Sequence, residues 1–246
     1  MSAFLRCIRS DFYKFRHTYM LPVHILLPIG TAAAFLAYYA VSSWKPTAKI
    51  SGYVEVIGIS FPLIISLICS KAIEQERQAG SFQNMLCCIK SRALIYLSKL
   101  AVMILMGAFS VALAIGIFAV VFKTAPALMY EKVAILIIAG SIFLYNLHLF
   151  VSLQYGRGAS IGLGIIESLV SALALTGLGD KVWYCIPCTW SARFADNLMY
   201  EWLNPEKAFG YGEIQKGLMV AIPTTAISLI LSILWFRNWE GRKIYD

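Results

Sequence analysis

Six long apolar segments run through this 246-residue chain and leave it few ways to fold. Each is close to the 20 or so apolar residues that a helix needs to cross a hydrocarbon core about 30 Å thick. Backbone polar groups cannot stay unpaired in lipid, so such segments cross a membrane as helices. The sequence therefore predicts an all-α polytopic membrane protein, a single domain over residues 1–246, with spans at 21–43, 52–70, 100–122, 133–155, 161–178 and 217–236.

The composition also indicates a membrane protein. The chain is 59% hydrophobic and 14% charged, whereas about 25% of the residues in soluble domains are charged. The net charge of +8 comes from basic residues in short groups between the apolar segments, not from one stripe or tail. This distribution is typical of membrane topology and argues against a nucleic-acid partner.

The basic residues between the spans predict an orientation. If the N-terminus is cytoplasmic, thirteen Lys and Arg residues lie inside and eight lie outside. Cytoplasmic loops carry an excess of Lys and Arg, so the count favours placing both termini in the cytoplasm.

The first 20 residues have the pattern of an amphipathic helix. Their large apolar side chains fall within an arc of roughly 100° on a helical wheel, and the basic residues lie outside that arc. These apolar residues are Phe4, Leu5, Ile8, Phe12 and Phe15. The pattern predicts a helix lying along the inner membrane surface. The alternative is a cytoplasmic extension of the first span.

A second amphipathic pattern occurs in residues 179–216, the longest stretch between spans. Trp190, Phe194, Leu198 and Trp202 recur every four residues. This spacing predicts a short extracellular helix whose apolar face lies in the outer membrane interface. The acidic residues of the segment could attract a cationic peptide, and a solvated loop is the simpler interpretation.

Catalytic motifs are absent from the sequence. It contains no phosphate-binding loop, no H-E-x-x-H and no G-x-S-x-G, and its three histidines share no metal-binding spacing. We expect no catalytic residue, metal or cofactor on this chain; if ATP and Mg²⁺ are used, a separate polypeptide binds them. Cys185 and Cys188 could form a disulfide or remain buried thiols, with the thiols favoured.

Three polar residues lie within predicted spans. Glu167 is in the fifth, and Asn146 and His148 are in the fourth. Ionisable groups in membranes are rare and usually face a bundle interior or a watery cavity. Two roles remain open for these residues: contact with a cationic substrate, or a hydrogen-bonded lock between helices.

Residues 71–99 form the cytoplasmic loop after the second span. The loop opens with charged residues, a Gly-Ser pair interrupts it, and apolar residues including Ile89 then follow at helical spacing. The pattern predicts a compact docking site for a partner protein, with a solvated loop as the alternative. The residues expected to make this contact are Glu74, Glu76, Gly80, Phe82, Met85 and Leu86.

The same loop carries a family resemblance. Ala72-Ile73-Glu74-Gln75-Glu76, followed by Gln78-Ala79-Gly80 and Phe82-Gln83-Asn84, resembles the loop of lantibiotic self-immunity permeases of the MutG, EpiG and NisG type, which are ABC type 2 exporters. The resemblance extends over the amphipathic start, the six spans and the helix-bearing outer segment. Arg77 stands where the relatives have an acidic residue.

The resemblance implies a function and partners. It implies a permease subunit of the bacterial plasma membrane that expels an amphipathic antimicrobial peptide from the producing cell. Two copies of an ABC ATPase, holding ATP and Mg²⁺, would dock under this chain and a second, related permease chain, with residues 74–86 as the coupling element. The alternatives are an ABC type 2 permease for another lipophilic drug or lipid, and a membrane scaffold that transports nothing.

Overall fold

The computed structural model describes residues 3–87, 91–204, 206 and 209–241, with the backbone alone at 209 and 210. These residues form helices and no strand. The helices are α1 (Ala3–Arg16), α2 (Met20–Val41), α3 (Pro46–Gln78), α4 (Gln83–Cys87), α5 (Arg92–Val121), α6 (Ala127–Gln154), α7 (Arg157–Ala174), α8 (Trp190–Leu203) and α9 (Phe209–Arg237). Two 3₁₀ turns, Trp183–Cys185 and Pro187–Thr189, lead into α8.

Six of the helices are long and apolar enough to cross a membrane, which confirms the six predicted spans. They are α2, α3, α5, α6, α7 and α9. Successive spans run in opposite directions, so the bundle has two ends. The "α4 end" holds α1, α4 and the end of α9; the "α8 end" holds the α2–α3 turn and the start of α9. At about 1.5 Å per residue, the 33 residues of α3 exceed a 30 Å core and extend beyond it.

The short helix predicted near residue 190 is present as α8, but the prediction that its apolar face lies against the membrane is wrong. α8 packs between α3, α6 and α9. Trp190, Phe194 and Leu198 are buried inside the bundle, and Trp202 is half-buried against the core. Its apolar face therefore contacts protein, and the chain enters and leaves the bundle at the same end.

Glycines on the neighbouring helices allow α8 to enter. A Cβ atom on Gly58 of α3 would lie 2.6 Å from the Cα of Ala192, and one on Gly140 of α6 would lie 2.7 Å from the backbone nitrogen of Ser191. Gly58 lies about three turns, roughly 18 Å, from the start of α3. Small residues let helix backbones approach closely in membranes, and here they place α8 deep in the bundle.

The N-terminal helix packs mainly on α5. Its buried residues are Cys7, Asp11 and Phe15, whereas Leu5 and Phe12 are exposed. The predicted apolar arc is therefore divided: Phe15 belongs to the core, and Leu5 and Phe12 are available to the membrane surface.

Candidate functional site

The chain reverses direction immediately after α3, at the turn that leads into α4. Gly80, Ser81 and Phe82 have φ angles of 127°, 50° and 71°. Glycine adopts a positive φ without the penalty that a Cβ imposes. The Asn84 side-chain nitrogen donates a hydrogen bond to the Ala79 carbonyl (2.6 Å) and braces the turn.

This turn places the Phe82 side chain against the chain's own C-terminal region. Phe82 is 3% exposed, and its ring contacts that of Trp239 with centroids 5.0 Å apart. The Arg92 guanidinium donates to the carbonyls of Trp239 (2.6 Å) and Arg237 (3.2 Å). The turn after α3, the start of α5 and the end of α9 are thereby held together.

These contacts correct the expectation that Phe82, Met85 and Leu86 form an exposed docking face. Phe82 and Met85 are buried and Leu86 is half-buried, because the reversed backbone turns them toward the bundle. The surface offered to a partner is polar. Gly80 belongs to it, together with Ser81, Gln83 and Asn84. Ile89 lies outside the described residues.

A buried ionic cluster lies beside this turn and joins α1, α3 and α5. The Lys99 Nζ is 2.8 Å from the Glu76 Oε1 and 3.0 Å from the Asp11 Oδ1. The Lys14 Nζ donates to both Glu76 oxygens at 2.8 and 3.0 Å, and the Ser98 hydroxyl donates to Asp11 at 3.1 Å. Two cations balance two carboxylates, so the cluster is neutral and its carboxylates are hydrogen-bonded.

The cluster also corrects the role expected for Glu76. This carboxylate is 4% exposed and binds Lys14 and Lys99 of its own chain, so it does not face a partner. Glu74 is half-buried and pairs with Arg77 one turn away (3.0 Å). Both carboxylates, Glu74 and Glu76, therefore pair with basic residues of their own chain.

The site residues predicted from the sequence do not include Asp11, Lys14, Ser98 or Lys99. One signal was available: Asp11 is the single acidic residue in an otherwise basic helix, and it lies next to the apolar arc. A carboxylate in that position is stable only when a basic partner neutralises it. Lys99, near the start of an apolar helix, is that partner.

The intramembrane carboxylate and histidine lie together. The His148 Nε2 is 2.7 Å from the Glu167 Oε2, and its Nδ1 is 3.0 Å from the Ser160 hydroxyl. The Ser160 hydroxyl in turn donates to the Ser66 carbonyl (3.4 Å). All of these side chains are buried, and the chain of contacts joins α6, α7 and α3.

Asn146 belongs to a separate buried group. Its side-chain oxygen accepts from the Tyr96 hydroxyl (2.8 Å), and its nitrogen donates to Ser228 (2.8 Å) and Ser232 (3.0 Å). The group joins α5, α6 and α9. Asn146 and His148 are near in sequence, but the structure gives them different partners on different helices.

Within the described part of the chain, no three His, Cys, Asp or Glu side chains are arranged to hold a metal ion. At the α4 end, a buried ring contact and a buried ionic cluster instead hold the surface turn and the end of α3 against α1, α5 and α9.

Residues 7–171, from α1 into α7, match the family described as ABC-2 family transporter protein. The chain belongs to this family. The ABC-2 match shows that it is the membrane-spanning permease of an ABC exporter and that an ABC ATPase is its partner. Comparison with curated proteins gave no match.

The matched region includes the ionic cluster and the turn after α3, whereas α8 and α9 lie outside it. The ionic cluster and the turn of this ABC-2 permease are therefore within the region that matches the family. The contact partner of Phe82, Trp239, lies beyond it.

Proposed function

We propose that this ABC-2 permease expels a lantibiotic or similar amphipathic antimicrobial peptide from the membrane of the producing cell. The observation that carries the proposal is the motif at residues 72–84. Its Gly80 provides a positive φ, its Phe82 packs on Trp239 and its Asn84 braces the turn. Three residues of the motif that resembles lantibiotic self-immunity permeases, Gly80, Phe82 and Asn84, therefore each have a structural role in the turn.

The proposed orientation places the α4 end in the cytoplasm and the α8 end outside. It rests on the thirteen-to-eight distribution of basic residues. In this orientation the exposed turn faces an ATPase, and the α1 helix lies along the inner membrane surface.

The proposed assembly has two ATPase copies, which bind ATP and Mg²⁺, under this chain and a second, related permease chain. The ATPase contacts the exposed residues Gly80, Ser81 and Gln83. A displacement of this turn reaches α9 through Phe82, and α5 and α1 through Glu76. Rigid, packed contacts can transmit such a displacement, because packed interfaces and cores switch between discrete arrangements and do not deform continuously.

Co-expression in a peptide-sensitive bacterium tests the function. The permease, its ATPase and the second permease should raise the peptide concentration that inhibits growth, and a hydrolysis-deficient ATPase should abolish the effect. Unchanged peptide tolerance at verified expression would contradict the proposal. Resistance to lipophilic drugs would then support the alternative drug or lipid substrate, and no resistance of any kind would support a scaffold.

A further inference from the structure

An aromatic cavity of about 580 Å³ opens at the α8 end, between the last turns of α2 and the first turns of α3. Phe35, Tyr38, Tyr39 and Trp44 form much of its wall. The Trp44 ring lies 6.4 Å from that of Tyr38 and 6.3 Å from that of Tyr39, centroid to centroid. Tyr38 and Trp44 are about half exposed, so the cavity is accessible from outside the bundle.

A carboxylate lines the same cavity. Glu55 lies on the face of α3 that lines it, and the side chain is half-buried. Within the described residues, Glu55 forms no ion pair with a basic side chain. The acidic residue near it, Asp196 of α8, already pairs with Arg193 at 3.5 Å. Glu55 is thus a carboxyl group in the cavity wall with no basic partner among the described residues.

A basic residue in the first turn of α3, Lys49, is already engaged. The Lys49 Nζ donates to the carbonyls of Tyr39 (2.6 Å) and Ser42 (2.9 Å), at the C-terminal end of α2. That end carries the negative pole of the helix dipole, which Lys49 offsets. The same ammonium lies 5.8 Å from the centre of the Tyr39 ring, so an aromatic ring of this cluster already accepts one cation.

Aromatic walls and an uncompensated carboxylate select for one kind of ligand. The faces of Trp and Tyr rings attract ammonium and guanidinium groups, and the attraction grows when water is excluded. A carboxylate adds direct charge pairing, and the apolar walls accommodate a methylene chain. An anion or an uncharged polar group would gain neither the ring contacts nor the pairing with Glu55.

We propose that this cavity binds a lysine side chain of the exported amphipathic peptide, with Glu55 as its counter-ion and Tyr38, Tyr39 and Trp44 as its aromatic walls. The proposal rests on the proposed function and adds to it a specific contact for the peptide's positive charge. A cationic group would enter from the α8 end, where the cavity opens.

Equilibrium binding to the purified full chain in uncharged maltoside micelles tests this contact. The probes are two fluorescent amphipathic peptides of identical sequence, one with a single lysine and one with that lysine acetylated. We expect the lysine peptide to bind about tenfold more tightly. Glu55→Gln and Trp44→Leu should remove this preference, and Tyr38→Phe, which keeps the ring, should retain it. Glu131→Gln, at an exposed carboxylate near the start of α6, is the matched control and should bind like the parent.

Two results would overturn the assignment: equal binding of the two peptides by the parent chain, or parental selectivity in Glu55→Gln. Because glutamine has nearly the shape of glutamate, Glu55→Gln keeps the test valid even if Trp44→Leu fails to fold. Tolerance assays in cells separate the two proposals. If cells tolerate the peptide but the purified chain does not prefer the lysine peptide, the cavity assignment alone is wrong. If the chain prefers the lysine peptide but cells do not tolerate the peptide, the cation contact is supported and peptide export is contradicted.

Discussion

The ring of Phe82 contacts that of Trp239 at an interplanar angle of 67°, and this contact joins the turn after α3 to the end of α9. The two residues are far apart in sequence, and the contact is buried. We infer that the contact transmits the motion of a docked ATPase.

Removing the ring should uncouple the turn while leaving the spans in place. Phe82→Ala should increase trypsin cleavage between α3 and α5 and reduce the stimulation of ATPase activity by peptide, because a buried aromatic side chain is replaced by a gap. Phe12→Ala removes an exposed ring of α1 and is the control. Parental cleavage and stimulation in Phe82→Ala would exclude a coupling role for this contact.

The ionic cluster should respond differently to single and double substitution. Lys99→Met leaves Asp11 and Glu76 with one cation and should destabilise the protein by about 3–5 kcal/mol, the range for a buried charge that loses its partner. Adding Glu76→Gln restores the charge balance with Lys14, so the double variant should melt at a higher temperature than Lys99→Met.

Thermal unfolding in detergent measures both variants. Glu74→Gln is the comparison, since the half-buried Glu74–Arg77 pair lies near the surface and such pairs contribute about 0–1 kcal/mol. If the double variant melts below Lys99→Met, charge balance does not stabilise the cluster.

The insertion of α8 should depend on the absence of a side chain at Gly58. Gly58→Ala places a Cβ against the backbone of Ala192, and we expect a loss of about 1–3 kcal/mol from overpacking. Gly30→Ala is the control: no atom lies within 4 Å of a Cβ there, and alanine favours a helix. Melting temperatures of the two variants provide the measurement; equal values would contradict the close approach of α8.

The two cysteines before α8 should differ in reactivity. Cys185 is exposed, whereas Cys188 is buried, and burial raises its pKa to about 11. The thiolate is the reactive form, so at neutral pH Cys188 is almost entirely the unreactive thiol. An impermeant maleimide added to intact cells should therefore label Cys185 and spare Cys188, as peptide mass spectrometry would show. Labelling of Cys185 only after permeabilisation would reverse the proposed orientation.

The spans could be predicted from the sequence because length and hydropathy determine them, and all six are present as helices. The position of α8 could not be predicted. The spacing of Trp190, Phe194 and Leu198 is the same whether the face meets lipid or protein, and the deciding feature is on other helices, at Gly58 and Gly140.

The site was predicted in part. The turn at residues 74–86 was located, but the direction of its side chains depends on positive φ angles at Ser81 and Phe82, which no residue preference indicated. The partners of Glu76 come from α1 and α5, far away in sequence. Contacts of this kind arise only when the helices are packed together.

Peptide clearance from proteoliposomes tests the central claim most directly. The permease, its ATPase and the second permease are reconstituted with a fluorescent lantibiotic in the bilayer, and peptide bound to the membrane is followed after ATP is added. Export predicts an ATP-dependent fall in membrane-bound peptide that a hydrolysis-deficient ATPase prevents. The same amount of bound peptide with and without ATP, in vesicles whose ATPase is active, would contradict the account.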